Sequence, residues 1–384
     1  MCHTTPDVME MMARLVATPS VSSVSPSYDQ SNAAVIALLA EWAEGLGFTV
    51  EVRDLPGHPG KQNLVATLGQ GENGLVLAGH TDTVPYDEGR WRHDPFRLTE
   101  DGGRLYGLGV ADMKAFFALT LEAVQGLGPR PLARPVVLLA TADEESSMCG
   151  AIALAESGRA LGRYAVIGEP TGLVPVRMHK GILMEAVRLV GRAGHSSDPA
   201  LGNSALEGMH GVLSDLLDWR AELQAAHRDD TFAVPVPTMN LGRIGGGDNP
   251  NRICGECELH LDLRPLPGMR LTDLRGELRR RVERVAADRG LAWETRPLFA
   301  GIEAMETPAA SVLVRALEDL TGSPAGAAAF GTEAPYLTAL GMETVVWGPG
   351  DIAQAHQPDE YLALARVPRT VGLLQSLIER FCRD

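Results

Sequence analysis

Lysine is nearly missing from this chain. It occurs only at Lys61, Lys114 and Lys180, and arginine supplies the rest of the 34 basic residues. A compositional bias towards Arg, Ala and Gly accounts for much of that. Yet Lys114 and Lys180 lie beside motifs discussed below, which hints that those places want a compact ammonium rather than a planar guanidinium. Cysteine is scarce too. Cys2, Cys149, Cys254, Cys257 and Cys382 are too few in 384 residues, and odd in number, to build a disulfide framework. Cys254 and Cys257 have C-x-x-C spacing, but no second pair follows for a zinc site and the stretch reads as a strand. No apolar run is long enough to span a bilayer. The start, Met1 to Asp7, lacks the basic and apolar regions of a signal peptide, so a cytoplasmic protein is expected.

Other absences remove whole classes of function. Gly107-Leu108-Gly109 lacks the third glycine of a dinucleotide fingerprint, and Gly245-Gly246-Gly247 lacks the Lys-Ser or Lys-Thr of a phosphate loop. No Gly-x-Ser-x-Gly elbow suggests a serine hydrolase. A formal net charge of -15, with no basic block to offset it, argues against nucleic acid and anionic membranes as partners.

What is present suits a packed α/β protein. Hydrophobic residues make up 45% of the chain, enough for two cores. Helical periodicity runs over 8–17 and 29–46, with a strand at 48–53. Near-continuous apolar runs at Leu75–Gly79, Pro135–Ala140, Tyr164–Ile167 and Thr344–Trp347 predict strands covered by helices on both faces. From Gly181 to about Pro297 the pattern changes to β-α-β-β-α-β, the ferredoxin-like order. The expected domains are therefore 1–180 and 298–384 as one catalytic unit, with 181–297 inserted.

Polar residues recur where the buried strands end. His80 and Asp82 follow the first run, Glu144 and Glu145 the second, and Glu169 the third. His356 lies beyond the fourth, and a glycine-rich segment precedes Asp112. Ligands of open α/β sheets bind outside the carboxyl ends of strands, so these residues should converge. Taken singly, a His-x-Asp or a Glu-Glu is usually an ordinary solvated pair. Together, His80, Asp112, Glu145, Glu169 and His356 suit two divalent ions of intermediate hardness: zinc, cobalt or manganese. Asp82 is placed to accept the second ring N–H of His80. Of the adjacent Glu144 and Glu145, one can ligate while the other holds a proton.

These stretches resemble the M20 family of metallopeptidases and deacylases. The matches include Gly79-His80-Thr81-Asp82-Thr83-Val84-Pro85, Gly109-Val110-Ala111-Asp112-Met113-Lys114, Asp143-Glu144-Glu145, Gly168-Glu169-Pro170-Thr171 and Gly194-His195-Ser196-Ser197-Asp198-Pro199. Leu261–Gly268 and Gln354–Tyr361 extend them in order along nearly the whole chain. The resemblance implies a zinc-peptidase-like, mixed-sheet catalytic domain with an inserted ferredoxin-like dimerisation or lid domain. It implies two divalent metal ions per subunit, with Asp112 bridging between His80 and Glu169 on one side and Glu145 and His356 on the other. Glu144 would be the general base, and the Asp112–Met113 peptide would be cis. His195 would assist the oxyanion in a homodimeric partner, and Arg264 would bind a substrate α-carboxylate. Asn240, Thr332 and Glu333 are further substrate candidates; for Glu333 the argument is charge opposite an ornithine side chain. Within the family the match points to deacetylation of N-acetyl-L-ornithine in arginine biosynthesis. Other N-acyl-amino-acid deacylases, desuccinylation of succinyl-diaminopimelate and a non-catalytic relative are the alternatives.

Overall fold

A computed structural model describes residues 5–383. Cys2 and the first part of the stretch read for a signal peptide lie outside them. The principal strands, in chain order, are β1 (Thr49–Asp54), β2 (Gln62–Leu68), β3 (Leu75–His80), β4 (Val136–Thr141), β5 (Tyr164–Ile167), β6 (Leu183–Val190), β7 (Thr238–Gly246), β8 (Glu256–Arg264), β9 (Ala292–Pro297) and β10 (Glu343–Val346). The chain divides into two compact units. One holds the chain up to Arg177, Thr307–Gly326 and everything from Glu333 on; the other holds Met178–Glu306 and Ala327–Thr332.

In the larger unit six of these strands form a mixed sheet in the order β1-β2-β4-β3-β5-β10. β4, β3, β5 and β10 run parallel, while β1 and β2 run antiparallel at one edge. β3, β4 and β5 are buried along their whole length, as near-continuous apolar runs require when both faces are covered. The helix Lys114–Gln125 is buried at ten of its twelve positions and packs against β3 and the helices Val8–Val16 and Arg366–Ile378. A helix apolar all round belongs inside. It comes so close because two strand ends carry glycine. A Cβ at Gly79 would meet the Met113 side chain, and one at Gly168 would fall within the Phe116 ring.

The second expected helix starts later than its periodicity suggests, at Ala33 rather than Asp29. The Asp29 carboxylate accepts the Lys61 ammonium and the Ser23 N–H, and the Gln30 carbonyl also faces Lys61. Those bonds hold the segment out of the helix.

The smaller unit has the order β7-β8-β6-β9, antiparallel throughout. Helices Ala205–Ala226 and Leu271–Asp288 pack on the sheet and on each other. On β8 the side chains alternate strictly. Cys257, Leu259, Leu261 and Leu263 enter the core, while Glu258, His260, Asp262 and Arg264 take the other face. Cys254 and Cys257 are free and buried, and the Cys254 thiol donates to the Glu256 carbonyl. No helix among the described residues is long and apolar enough to cross a membrane.

The close approach at Gly168 yields a test. Gly168→Ala should destabilise the larger unit by about 1–3 kcal/mol through overpacking, read as a lower urea midpoint. Adding Phe116→Leu should recover part of the loss. An unchanged midpoint for the single variant would show that the helix shifts freely.

Candidate metal centre

Three of the candidate ligand stretches of the larger unit sit where a buried strand hands over to a loop. His80 ends β3. Glu144 and Glu145 follow the end of β4 by three and four residues, and Glu169 follows β5 by two. Asp112 precedes the buried helix Lys114–Gln125, and its peptide bond to Met113 is cis. His356 takes a left-handed backbone, φ 60, a region that His, Asn and Asp enter more readily than most residues.

The side chains converge. His80 Nε2 is 3.2 Å from Asp112 Oδ1 and 3.9 Å from Glu169 Oε1. His356 Nε2 is 3.5 Å from the other oxygen, Asp112 Oδ2, and 3.0 Å from Glu145 Oε1. One carboxylate thus shows a different oxygen to each imidazole. Candidate ligand atoms of His80, Asp112 and Glu145, and of His80, Glu144 and Glu169, lie within 4.8 Å of one another. Glu144, expected to hold a proton rather than ligate, stands in the second of these groups.

Such crowding in a buried site is costly for anions, and proton affinities rise accordingly. Burial pushes the Glu144 carboxyl well above its ordinary value, and the Glu169 carboxylate adds to the shift. Burial and then Asp112 do the same to Glu169. Burial lifts Asp82 to about 6 against the pull of His80. His356 rises to about 9 because Glu145 hydrogen-bonds to it. Glu169 Oε1 is buried without a hydrogen-bond partner, which is unusual for a carboxylate. Two imidazoles, four carboxylates and an orphaned buried oxygen fit hard-to-intermediate cations.

Asp82 holds the site differently from expectation. His80 Nδ1 lies 3.0 Å from the Asp82 main-chain carbonyl, and the carboxylate stands off at 3.7 Å. The Asp82 carboxylate instead accepts the backbone N–H groups of Glu144 and Glu145, at 3.2 and 3.1 Å. It therefore orients the two glutamates as well as bordering the histidine. Glu333 is buried and accepts the Thr141 hydroxyl at 2.7 Å, with burial raising its pKa. That position is beside His80, inside the unit.

One residue given no role by its sequence anchors the Asp112 loop. Buried Glu360 accepts Ala111 N at 2.7 Å, Asp112 N at 3.0 Å and Gly109 N at 3.0 Å. Burial pushes it up to about 8. Its only sequence signal was its place in the Gln354–Tyr361 stretch. Lys114 is buried, donates to the Thr18 carbonyl at 3.0 Å and is lowered to about 8 by burial.

The other candidates belong to the smaller unit. Arg264 Nε lies 3.0 Å from both oxygens of Asp262. Asn240 is exposed and pairs with Asp262 across β7 and β8, so the three share the sheet face opposite the helices. His195 is exposed; its Nδ1 accepts the Ser197 N–H at 3.2 Å, with the Ser197 hydroxyl at 2.7 Å. Thr332 is buried and its hydroxyl lies 3.2 Å from His179 Nε2. Lys180 donates to the Val236 carbonyl at 2.6 Å beside the Phe232 ring.

The model of Peptidase family M20/M25/M40 matches residues 76–380. The chain belongs to that family. It is 48% identical to an acetylornithine deacetylase of Proteus mirabilis (strain HI4320) over 377 residues, 98% of this chain and 97% of the relative. Among solved structures it is similar to a tripeptidase of Staphylococcus aureus, at a TM-score of 0.78 and 20% identity over 99% of both chains. A dinuclear metal-binding M20 peptidase of Bacillus subtilis aligns at a TM-score of 0.67 and 16% identity, covering 97% of this chain and 98% of that one. The mixed-sheet α/β fold is that of the family.

The raised proton affinities imply that cations and protons compete for this site. Zinc added to metal-free protein at pH 7 should release protons and raise the melting temperature. Its affinity should fall as the pH drops below about 9, where His356 increasingly holds its proton. Calorimetry in two buffers of different ionisation heat counts the protons. A proton-neutral titration would mean that the ligands are already deprotonated.

Proposed function

We propose that this protein is a metal-dependent amide hydrolase that removes acetyl from N-acetyl-L-ornithine, giving L-ornithine and acetate. The observation that carries the reading is Asp112, whose two oxygens face His80 and His356 separately. That is the arrangement a carboxylate shared by two cations needs. The near full-length likeness to acetylornithine deacetylase supports the choice of substrate.

Two divalent ions per subunit, zinc first among them with cobalt or manganese as alternatives, would be held by His80, Asp112 and Glu169 and by Asp112, Glu145 and His356. When bound, such ions supply Lewis acidity, which makes water acidic near pH 7 and draws charge from an amide carbonyl. The protein's own part is to place groups and move a proton. Glu144 takes the proton of the attacking water and returns it to the leaving amine. Its raised pKa suits a base that must also act as acid. Asp82 fixes the backbone of Glu144 and Glu145.

The smaller unit acts as dimerisation and lid domain of a cytoplasmic homodimer. Arg264 receives the substrate α-carboxylate with a guanidinium already aligned by Asp262, and Asn240 hydrogen-bonds on the same face. With Nδ1 occupied by the Ser197 N–H, neutral His195 carries its proton on Nε2. It can then donate to an oxyanion in the partner's active site. Thr332 and Glu333 have less support as substrate contacts, because both are buried with hydrogen-bond partners inside their own units.

The likeness to a tripeptidase keeps peptide cleavage and other deacylations as competing readings. A panel of N-acetyl-L-ornithine, N-acetyl-L-methionine, N-succinyl-L,L-diaminopimelate and dipeptides separates them. N-acetyl-L-ornithine should give the highest kcat/KM, lost on chelation; a tenfold preference for any other substrate would overturn the assignment. Glu144→Gln should keep its metal and lose about 10²- to 10⁴-fold in kcat. His195→Ala should lower kcat with an unchanged melting temperature, and a normal rate would remove it from the mechanism.

A further inference from the structure

All three lysines of this arginine-rich chain are buried: Lys61 is 4% exposed, Lys114 1% and Lys180 1%. Lys61 stands closest to chemistry that nothing above explains. Its ammonium donates to Asp143 Oδ1 at 2.6 Å, the Gln30 carbonyl at 2.7 Å and Asp29 Oδ1 at 2.8 Å. Three acceptors use up its three N–H groups. They converge on one point, which a tetrahedral ammonium satisfies and a flat guanidinium does not.

Asp143 is the residue before Glu144 and Glu145. It has a left-handed backbone, φ 56, a region that Asp enters more readily than most residues. Its carbonyl closes a tight turn by accepting the N–H groups of Ser147 and Met148. Its carboxylate meets Lys61, while Glu145 Oε1 reaches His356. Asn63, two residues after Lys61, accepts the Ala142 N–H and donates to the Gly150 carbonyl. The turn is thus gripped from β2 on one side. On the other, Asp82 takes the next two N–H groups. His58, Asp143 and Cys149 are close enough to suggest a further cation site, but the Lys61 ammonium already neutralises Asp143 there.

We infer that Lys61 and Asp143 are positioning residues: their buried ion pair fixes the left-handed turn that aims Glu144 at its water and Glu145 at its metal. The inference rests on the roles given to those two glutamates. The pair touches no reacting atom and acts only through the turn. Its loss should therefore change turnover and one metal site rather than substrate affinity.

The test is a double-mutant cycle of Lys61→Met, Asp143→Asn and the pair, in full-length protein, with Asp29→Asn as control. Each single variant should lower kcat by about 10- to 100-fold with KM within threefold, and the double variant should fall no further than either. Chelator competition without substrate should show one of two zinc ions bound about tenfold more weakly. Asp29→Asn, which leaves the Lys61–Asp143 pair in place, should keep kcat within about threefold. Multiplying losses in the double variant, or folded single variants with kcat within threefold of the wild type, would overturn the inference. Should Lys61→Met not fold, Asp143→Asn decides alone, since it keeps the size and an acceptor and removes the charge. If the wild type binds two zinc ions but cleaves no N-acetyl-L-ornithine, the substrate assignment fails. The zinc measurement then still tests the anchor.

Discussion

The structure is organised around an electrostatic problem. Four carboxylates and two imidazoles crowd one space, all of them buried or half-buried except His356, which is open to solvent, and there like charges repel with little water to screen them. Left alone, the group holds protons: burial first, and neighbouring carboxylates after it, raise Glu144, Glu169 and the adjoining Asp82. Bound cations would relieve it instead. Proton holding and cation binding are thus two answers to one constraint, and the affinity for one depends on the other.

Such a cluster must be held against its own repulsion, and the holding falls to fixed backbone and buried opposite charge. The parallel strands bring His80, Glu145 and Glu169 to one end of the sheet, since buried strands hand over to loops there. Glu360 gathers three N–H groups of the loop that carries Asp112. Asp82 gathers two from the turn that carries the glutamates. Lys61 grips the same turn through Asp143. Each anchor is an ionisable group buried with its hydrogen bonds made, the condition under which burial of charge is tolerated.

The strands were legible because a strand covered on both faces must be apolar throughout. Leu75–Gly79 and Tyr164–Ile167 could hardly be anything else. The β-α-β-β-α-β pattern of the smaller unit was legible for a related reason: β8 alternates with a period of two and its helices do not. Less legible was the region before Ala33. Asp29 there has helical spacing, but a lysine 32 residues away draws its carboxylate out of the helix. The charge argument for Glu333 met a similar limit, because charge is read from a letter whereas accessibility is not.

By itself the sequence determined which residues could bind metal, since imidazole and carboxylate chemistry belongs to the residue, and where the strands delivering them lie, since hydrophobic period is local. The rarity of lysine was also there to read, but not its meaning. Tertiary structure alone decided that Asp112 divides its oxygens between two histidines, that Asp82 serves two backbone amides more than a ring, and that Lys61 ends among three oxygens. Each of these depends on distances between groups far apart in the chain. Such distances are set by packing and loop geometry, which no local pattern encodes.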